Sequence, residues 1–114
     1  MNNTISIKKN KEFKIIYGNG KSYANKYLIM YVKKNEHLYN RIGISVSKKV
    51  GNSVVRHRVT RLIRESYRLS EEMFKNSLDI VIVARVNAKD KSYKEINSAL
   101  LHLAKLHKIM VDKY

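Results

Sequence analysis

The sequence predicts an α+β domain, a small two-layer α/β sandwich in which helices pack on one mixed sheet. Three observations support this prediction. Apolar residues recur at helical spacing over residues 53–68 and again from residue 93 onward. Apolar and polar residues alternate over 22–33 and 41–47, as in half-buried strands. Residues 78–84 read LDIVIVA, an apolar run rich in β-branched side chains that is typical of a buried central strand.

Length and charge indicate a single RNA-binding domain over residues 1–114. Lysine and arginine number 24 against 9 acidic residues, and the net charge of +15 favours binding to polyanions through counterion release. No cysteine is present, which excludes disulfides and thiolate metal sites. The sequence shows neither a membrane-spanning apolar run nor a signal peptide, so we expect a soluble, cytoplasmic protein.

The first predicted helix covers residues 11–17, with Asn10 as its cap and the sequence GNG at 18–20 as its end. Phe13, Ile16 and Tyr17 share one face of this helix. We expect Ile16 to dock the helix on the sheet.

The strand predicted over 22–33 has an aromatic and basic face. Leu28, Met30 and Val32 point one way, and Tyr27, Ile29, Tyr31 and Lys33 point the other. Aromatic rings can stack on unpaired bases, although tyrosines on a strand more often cover a sheet. A polar loop at 34–40 is expected to close a hairpin with the strand at 41–47. There Gly43, Ser45 and Ser47 would leave a groove beside the tyrosines.

The helix over 53–68 concentrates the positive charge. Its inward side carries Val55, Val59, Leu62, Ile63 and Ser66, with Tyr67 at the edge. Its outward side carries His57, Arg61, Arg64 and Arg68, with Arg56 and Arg58 on the flanks. Asn52 or Ser53 can cap the first turn, and Lys48 and Lys49 precede it. Glu65 is the only acid in this segment, so an external polyanion is the simplest partner.

The C-terminal part predicts further packing elements. Residues 69–77 are polar, and those at 71–73 can add a turn of helix. Strand, helix and strand in succession imply a crossover between parallel strands, normally right-handed. After a loop at 87–91, a helix packs through the apolar stripe Ile96, Ala99, Leu100, Leu103, Leu106 and Met110.

The sequence shows no cluster of side chains that could catalyse a reaction by itself. A nuclease needs clustered carboxylates for metal, or a positioned acid and base, but the acids are scattered over different elements. His102 and His107 are five residues apart and do not share a helix face as zinc ligands would. We therefore expect no catalytic and no metal-binding residue in the protein.

The run GISVSKKVGNSVVRHRVTRLIRE resembles the protein subunit of bacterial ribonuclease P, as do the preceding segment KNKEFKIIYGNGKSYANKYLIMYV and the following DIVIVAR. The resemblance spans nearly the whole chain. It implies a mixed four-stranded sheet with a left-handed βαβ crossover, a fold that is ribosomal protein S5 domain 2-like. It also implies an endoribonuclease that removes the 5′ leader of precursor tRNA. In that enzyme the catalytic RNA subunit does the chemistry, with Mg²⁺ bound by RNA and substrate.

The resemblance also implies two sets of binding residues, one for the RNA subunit and one for the leader of precursor tRNA. The arginine signature of the family falls on Arg56, Arg58, Arg61 and Arg64, preceded by Lys48, Lys49 and Asn52; with His57 and Arg68 of the same face, these form the expected contact to the RNA subunit. The leader of precursor tRNA is expected at Phe13, Tyr17 and Tyr31, beside Tyr27 and Ser45. Two positions depart from the family: His57 replaces a usual asparagine, and Thr60 stands where a basic residue is common. No membrane and no protein partner is expected.

Two other functions share some of these features. A ribosomal component, which is a non-enzymatic RNA-binding protein, has the same charge and small size. A peripheral binder of anionic membranes would need an amphipathic helix with a free apolar face. The basic helix here is predicted to bury its apolar face in the core, which disfavours the membrane alternative.

Overall fold

The computed structural model describes residues 3–111. Over this part of the chain, five strands and three helices follow in the order β1 (Thr4–Ser6), α1 (Asn10–Asn19), β2 (Lys21–Ala24), β3 (Leu28–Lys34), β4 (Asn40–Ser45), α2 (Ser53–Ser70), β5 (Leu78–Ala84) and α3 (Tyr93–Leu106). Short 3-10 turns, Glu71–Met73 and Val86–Ala88, follow α2 and β5.

The strands form one mixed sheet in the order β1-β4-β5-β3-β2. The central strand β5 runs parallel to β4 and antiparallel to β3, whereas β1 is parallel to β4 and β2 antiparallel to β3. The predicted α+β class is confirmed, and so are the buried central strand and the parallel pairing across α2. The left-handedness of that crossover stays a prediction.

Helices cover both faces of the sheet. α2 and α3 pack on one face and form the main core, which includes Met30, Ile42, Ile80 and Ile82 from the sheet and Val59, Ile63, Leu100 and Leu103 from the helices. α1 packs on the other face, where Ile16 is buried with Ile7 and Val81 in a second, smaller cluster. The predicted docking role of Ile16 is thereby confirmed. The predicted two layers correspond to the sheet with α2 and α3, and α1 lies alone on the opposite side.

The prediction of a four-stranded sheet was wrong, because the sheet has five strands. The sequence pattern marked three strands, and it missed β1 and the division of the first predicted strand. β1 has only three residues and pairs only with β4, so no periodic pattern marks it. The strand predicted over 22–33 is a hairpin that turns at Asn25. The Asn25 side-chain oxygen accepts hydrogen bonds from the N–H groups of Tyr27 and Leu28 at 3.2 and 3.0 Å. This asparagine turn ends β2 and reverses the chain into β3.

The hairpin predicted between β3 and β4 was also wrong, because β5 lies between them. β3 pairs with β5 from Leu28↔Ala84 to Lys34↔Leu78. Gly43 is therefore separated from Tyr31 of β3 by the width of one strand.

Two helix ends differ from their predictions. α1 begins at Asn10 and continues to Asn19, and its N-cap is Lys9, whose side chain makes no capping bond, so the predicted Asn10 cap was wrong. α3 ends at Leu106, because the chain turns into a left-handed conformation at Lys108, with φ of 58°. Leu106 is 40% exposed, and Met110 lies beyond the helix in a bridge with Phe74.

Candidate nucleic-acid interface

The turn between β4 and α2 holds two lysines at the start of the basic helix. Val50 is buried and anchors the turn, while Lys48 and Lys49 are exposed. A side chain at Gly51 would place its Cβ 2.7 Å from Val55, so only glycine allows this approach. Asn52 accepts a hydrogen bond from the Val55 N–H at 3.0 Å, which confirms the predicted cap. Both lysines therefore lie in the turn that leads into a helix N-terminus, where anions bind favourably.

The inward face of α2 is buried as predicted. Val59, Ile63, Ser66 and Tyr67 are all 0% exposed. Burial of each large apolar side chain contributes roughly 1.5–3 kcal/mol, so this face fixes the rotation of the helix about its axis. The opposite face therefore points away from the core. It carries the cations of the predicted RNA-subunit contact.

Three arginines and a histidine of this face line one groove beside β4, which we call the cationic groove. Arg56, His57, Arg61 and Arg64 form its helix side, with Thr60 among them, and Ile44 and Val46 of β4 and its exit form the other side. Its volume is about 510 Å³. The two departures from the family pattern, at residues 57 and 60, thus lie inside the groove.

One hydrogen-bond donor in the cationic groove, on Arg56, has no acceptor. Its Nε is buried and has no hydrogen-bond partner, the single buried side-chain polar atom of this kind among the described residues. A buried donor without an acceptor costs about 1–3 kcal/mol, more when the group is charged. An oxygen atom of a bound ligand would remove this cost.

Two predicted arginines point elsewhere. Arg58 donates from Nη2 to the Lys91 carbonyl at 2.9 Å, on the flank that faces the loop before α3. Arg68 forms an ion pair with Glu65, so the predicted lack of neutralisation within this segment was wrong at that position. This pairing lowers the pKa of Glu65 and raises that of Arg68. The two side chains are 49% and 45% exposed, so solvent screens the pair.

A second depression, which we call the aromatic cleft, lies between α1 and β4. Phe13 and Tyr17 of α1 line it together with Ser45 of β4, and its volume is about 430 Å³. The Tyr17 ring meets the Tyr31 ring edge-on at 4.8 Å, and its centroid lies 6.2 Å from that of Phe13. The structure therefore brings together four of the five residues predicted for the leader.

Tyr27, the fifth residue, lies apart from the cleft. It follows the turn between β2 and β3 and packs against the main core under α3, on the other face of the sheet. The Lys91 ammonium lies 5.5 Å from the centroid of its ring. Strand alternation placed it with Tyr31, but the turn at Asn25 breaks that alternation.

The cationic groove and the aromatic cleft meet at one strand edge. Ile44 and Val46 line both depressions. The pairing of β1 with β4 ends at Ile42, whose carbonyl accepts a last hydrogen bond from the Ile7 N–H at 2.7 Å. Beyond Ile42, the β4 edge is open between a cationic and an aromatic wall.

An ionic network that sequence reasoning missed holds α1 over this cleft. Arg41 donates to both carboxylate oxygens of Asp79 at 2.8 and 2.7 Å and also pairs with Glu12 of α1. Asn35 donates to the same Asp79 carboxylate at 2.9 Å. Burial alone would raise the pKa of Asp79, but the bonds from Arg41 and Asn35 bring it below its ordinary value. An aspartate within the apolar run LDIVIVA was the signal, because a buried carboxylate needs a partner.

Within residues 3–111, no group of three or more histidine, cysteine, aspartate or glutamate side chains could hold a metal ion. In the same range, no helix is long and apolar enough to cross a bilayer.

The fold and the joined cationic and aromatic surfaces define a small basic RNA-binding protein of the α+β class. Residues 1–108 match the family described as Ribonuclease P. The chain belongs to this family and is the protein subunit of ribonuclease P. It accordingly partners the RNA of that ribonucleoprotein and takes part in tRNA processing. A ribosomal component is thereby set aside.

Proteins of similar sequence match this chain over almost its full length. The ribonuclease P protein component of Lachnoclostridium phytofermentans is 67% identical over 105 residues, covering 92% of this chain and 90% of that protein. That of Alkaliphilus metalliredigens is 56% identical over 110 residues, covering 96% and 99%.

Solved structures show the same fold. The Staphylococcus aureus RNase P protein superimposes with a TM-score of 0.86 at 39% identity, covering 93% of this chain and 97% of that one. The Thermotoga maritima protein gives a TM-score of 0.82 at 28% identity, covering 89% and 96%.

Proposed function

We propose that this subunit binds the ribonuclease P RNA through the cationic groove and the turn at Lys48 and Lys49, and holds the single-stranded 5′ leader of precursor tRNA in the aromatic cleft. Endonucleolytic removal of that leader gives the mature 5′ end. The protein then contributes binding and positioning to the reaction, and the RNA partner contributes the reacting centre.

The shared edge of β4 is the observation that supports this division of roles most directly. Because Ile44 and Val46 border both depressions, an RNA strand can pass from one to the other without leaving the protein surface. Guanidinium groups on the groove side suit phosphate, which they can bind in a bidentate manner. Rings on the cleft side suit unpaired bases, since every base presents a face for stacking.

The buried Nε of Arg56 supports an RNA ligand in the groove. Its missing acceptor would be supplied by a phosphate or base oxygen. Arg58 and Arg68 are engaged with Lys91 and Glu65, so we assign them a smaller part in binding than the groove cations.

We assign cleavage itself to the RNA, with Mg²⁺ held by RNA and substrate. In support, Asp79 is buried and committed to Arg41 and Asn35, and the described residues offer no cluster of acidic ligands. The test is a precursor with sulfur in place of a non-bridging oxygen at the cleaved phosphate. We expect slow cleavage in Mg²⁺ and a normal rate when a thiophilic metal is added. The degree of this rescue should be the same for all protein variants.

The leader assignment is tested by reconstituting the enzyme and shortening the leader nucleotide by nucleotide. We expect the affinity advantage of precursor over mature tRNA to disappear as the leader becomes too short to reach the aromatic cleft. A substitution in the cleft should flatten this dependence on leader length, whereas a substitution in the cationic groove should leave its shape unchanged. Binding that is independent of leader length would contradict the proposal.

A further inference from the structure

A separate basic pocket lies at the opposite end of the sheet from the turn at Lys48. It opens where β2 begins, β3 ends and β5 begins, under the C-terminal turn of α3, and its volume is about 490 Å³. The register places it there, because Lys34 pairs with Leu78 at one end of β5 while Ser45 pairs with Val83 near the other. It therefore belongs neither to the cationic groove nor to the aromatic cleft.

Lysines from four different segments line this pocket. They are Lys21, Lys34, Lys75 and Lys108, and none of the described residues in the lining is acidic. Like charges gathered around one cavity raise its positive potential and attract an anion. The described lining of the pocket thus contains no acidic side chain that could neutralise these lysines.

The backbone is strained at this pocket. Ser77 and Lys108, with φ of 65° and 58°, are the two non-glycine residues with positive φ among those described, and both line the pocket. This left-handed conformation is unfavourable for residues with a Cβ. Such strain is found preferentially at binding and catalytic sites.

Lys108 occupies a position where helices usually place glycine. The Ile109 N–H bonds to the Ala104 carbonyl at 3.2 Å and the Lys108 N–H to the Lys105 carbonyl at 3.0 Å, which is the Schellman arrangement that ends α3. Glycine would satisfy this turn without strain. The fold therefore does not require a lysine here, and its charge is directed to the pocket.

Short hydrogen bonds hold the pocket walls together. The Lys75 N–H bonds to the Ile109 carbonyl at 2.7 Å, and the Asn35 N–H bonds to the Ser77 carbonyl at 2.9 Å. His107 is fixed by a 2.8 Å contact between its Nε2 and the Met30 carbonyl. Burial lowers the pKa of His107, the bond to Met30 opposes this, and the positive charge of Lys21 lowers it further.

We propose that this pocket binds a phosphate group of RNA, at a third surface distinct from the cationic groove and the aromatic cleft. The phosphate belongs either to the ribonuclease P RNA or to precursor tRNA. Both present the same ligand chemistry, and the experiments below separate them.

The first experiment uses inorganic phosphate and needs no RNA, so its outcome does not depend on the proposed function. Amide signals of the full chain are followed by NMR during a phosphate titration. We expect the largest shifts at residues 75–78 and 107–109, and their loss in Lys108→Gly, although this variant relieves strain and should be at least as stable. Ser77→Gly is the matched control, since it relieves strain without removing charge and should retain the shifts. Shifts that avoid the pocket, or persist equally in Lys108→Gly, overturn the proposal.

The second experiment measures RNA binding against salt. The double variant Lys75→Ala/Lys108→Gly is compared with Lys26→Ala/Lys89→Ala, which removes the same charge from exposed positions away from all three surfaces. For one bound phosphate we expect the pocket variant to reduce the slope of log affinity on log salt by about one relative to the control. A loss with ribonuclease P RNA alone assigns the phosphate to that RNA.

A loss that occurs only when the reconstituted enzyme binds precursor assigns the phosphate to precursor tRNA. Equal behaviour of the two double variants with both RNAs overturns the proposal, even if free phosphate binds. An Arg61→Ala variant in the same series tests binding by the cationic groove. A failure of the proposed function at that groove can thus be distinguished from a failure of the pocket proposal.

Discussion

Gly43 controls how closely Phe13 approaches the sheet. A Cβ at this position would lie 2.7 Å from two atoms of the Phe13 ring. We expect Gly43→Ala to displace the ring, to reduce the free energy of unfolding by about 1–3 kcal/mol and to weaken precursor binding. Urea denaturation and binding assays measure the two effects. Gly18→Ala is the control, because no other atom lies within 4 Å of its added Cβ and alanine favours a helix. Stability and precursor binding unaffected by Gly43→Ala would show that the ring has room to move.

Tyr17 is the most accessible ring of the aromatic cleft, with 38% of its surface exposed. If a leader base stacks on it, Tyr17→Ala should weaken precursor binding relative to mature tRNA by up to about 1–3 kcal/mol. Affinities of the reconstituted enzyme for both RNAs measure this difference. Tyr93→Ala, at the start of α3 and outside the cleft, should leave the ratio unchanged. Equal losses for precursor and mature tRNA would assign Tyr17 to packing alone.

At the scale of the element, α2 is not a uniform cationic surface. Arg61 lines the cationic groove, whereas Arg68 is paired with Glu65. We expect Arg61→Ala to reduce the slope of log affinity for the ribonuclease P RNA on log salt by about one, as when one phosphate contact is lost. Arg68→Ala should change the slope less, although it removes the same formal charge. Identical slopes for the two variants would mean that the ion pair opens on binding.

Elements with a strong local pattern could be predicted from sequence, and elements defined by distant partners could not. The stripe of α2 and its Asn52 cap, the apolar run of β5 and the stripe of α3 from Ile96 to Leu103 were predicted and are present. The last two members of the predicted α3 stripe, Leu106 and Met110, were wrong. β1 was missed because its three residues form a strand only against β4. The turn at Asn25 was missed because side-chain bonding interrupts an alternation that continues in the sequence.

The binding surfaces show the same division. Resemblance to a known family placed Phe13, Tyr17 and Tyr31 in one cleft, and they contact one another in the structure. The helical wheel correctly turned the arginines of α2 outward. It could not show that Arg58 turns to Lys91, because that acceptor lies 33 residues away. Strand alternation misplaced Tyr27 for the reason given above.

At the scale of the whole molecule, the pairing of Arg41 with Asp79 and Glu12 joins the neighbouring strands β4 and β5 to α1 on one face of the sheet. Asp79→Asn removes the carboxylate that accepts two hydrogen bonds from Arg41, while Glu12 still pairs with that guanidinium, so it should cost about 1–3 kcal/mol at neutral pH. Urea denaturation measures this loss. Asp90→Asn, at an exposed loop position, is the control and should have little effect.

The stability difference between the parent protein and Asp79→Asn should depend on pH. The pKa of Asp79 is lower in the folded chain than its ordinary value of 3.8. Its contribution is therefore complete above that value and declines as the pH falls through the lower, folded pKa. We expect the stability difference between the parent protein and Asp79→Asn to be constant near neutrality and to shrink in strong acid. A difference that grows on acidification would contradict this assignment.

The order of strands in the sheet also constrains when the chain can fold during its synthesis. β3 and β4 do not pair with each other, and β5, which joins them, occupies residues 78–84. The first 77 residues thus contain the strands of the β2–β3 hairpin and of the β1–β4 pair, but not the strand that joins the two. The open edge of β4 and the basic helix α2 emerge earlier than the strand that holds them in place. We expect a nascent chain arrested before residue 78 to be cut readily by proteases, and resistance to appear only when β5 has left the exit tunnel.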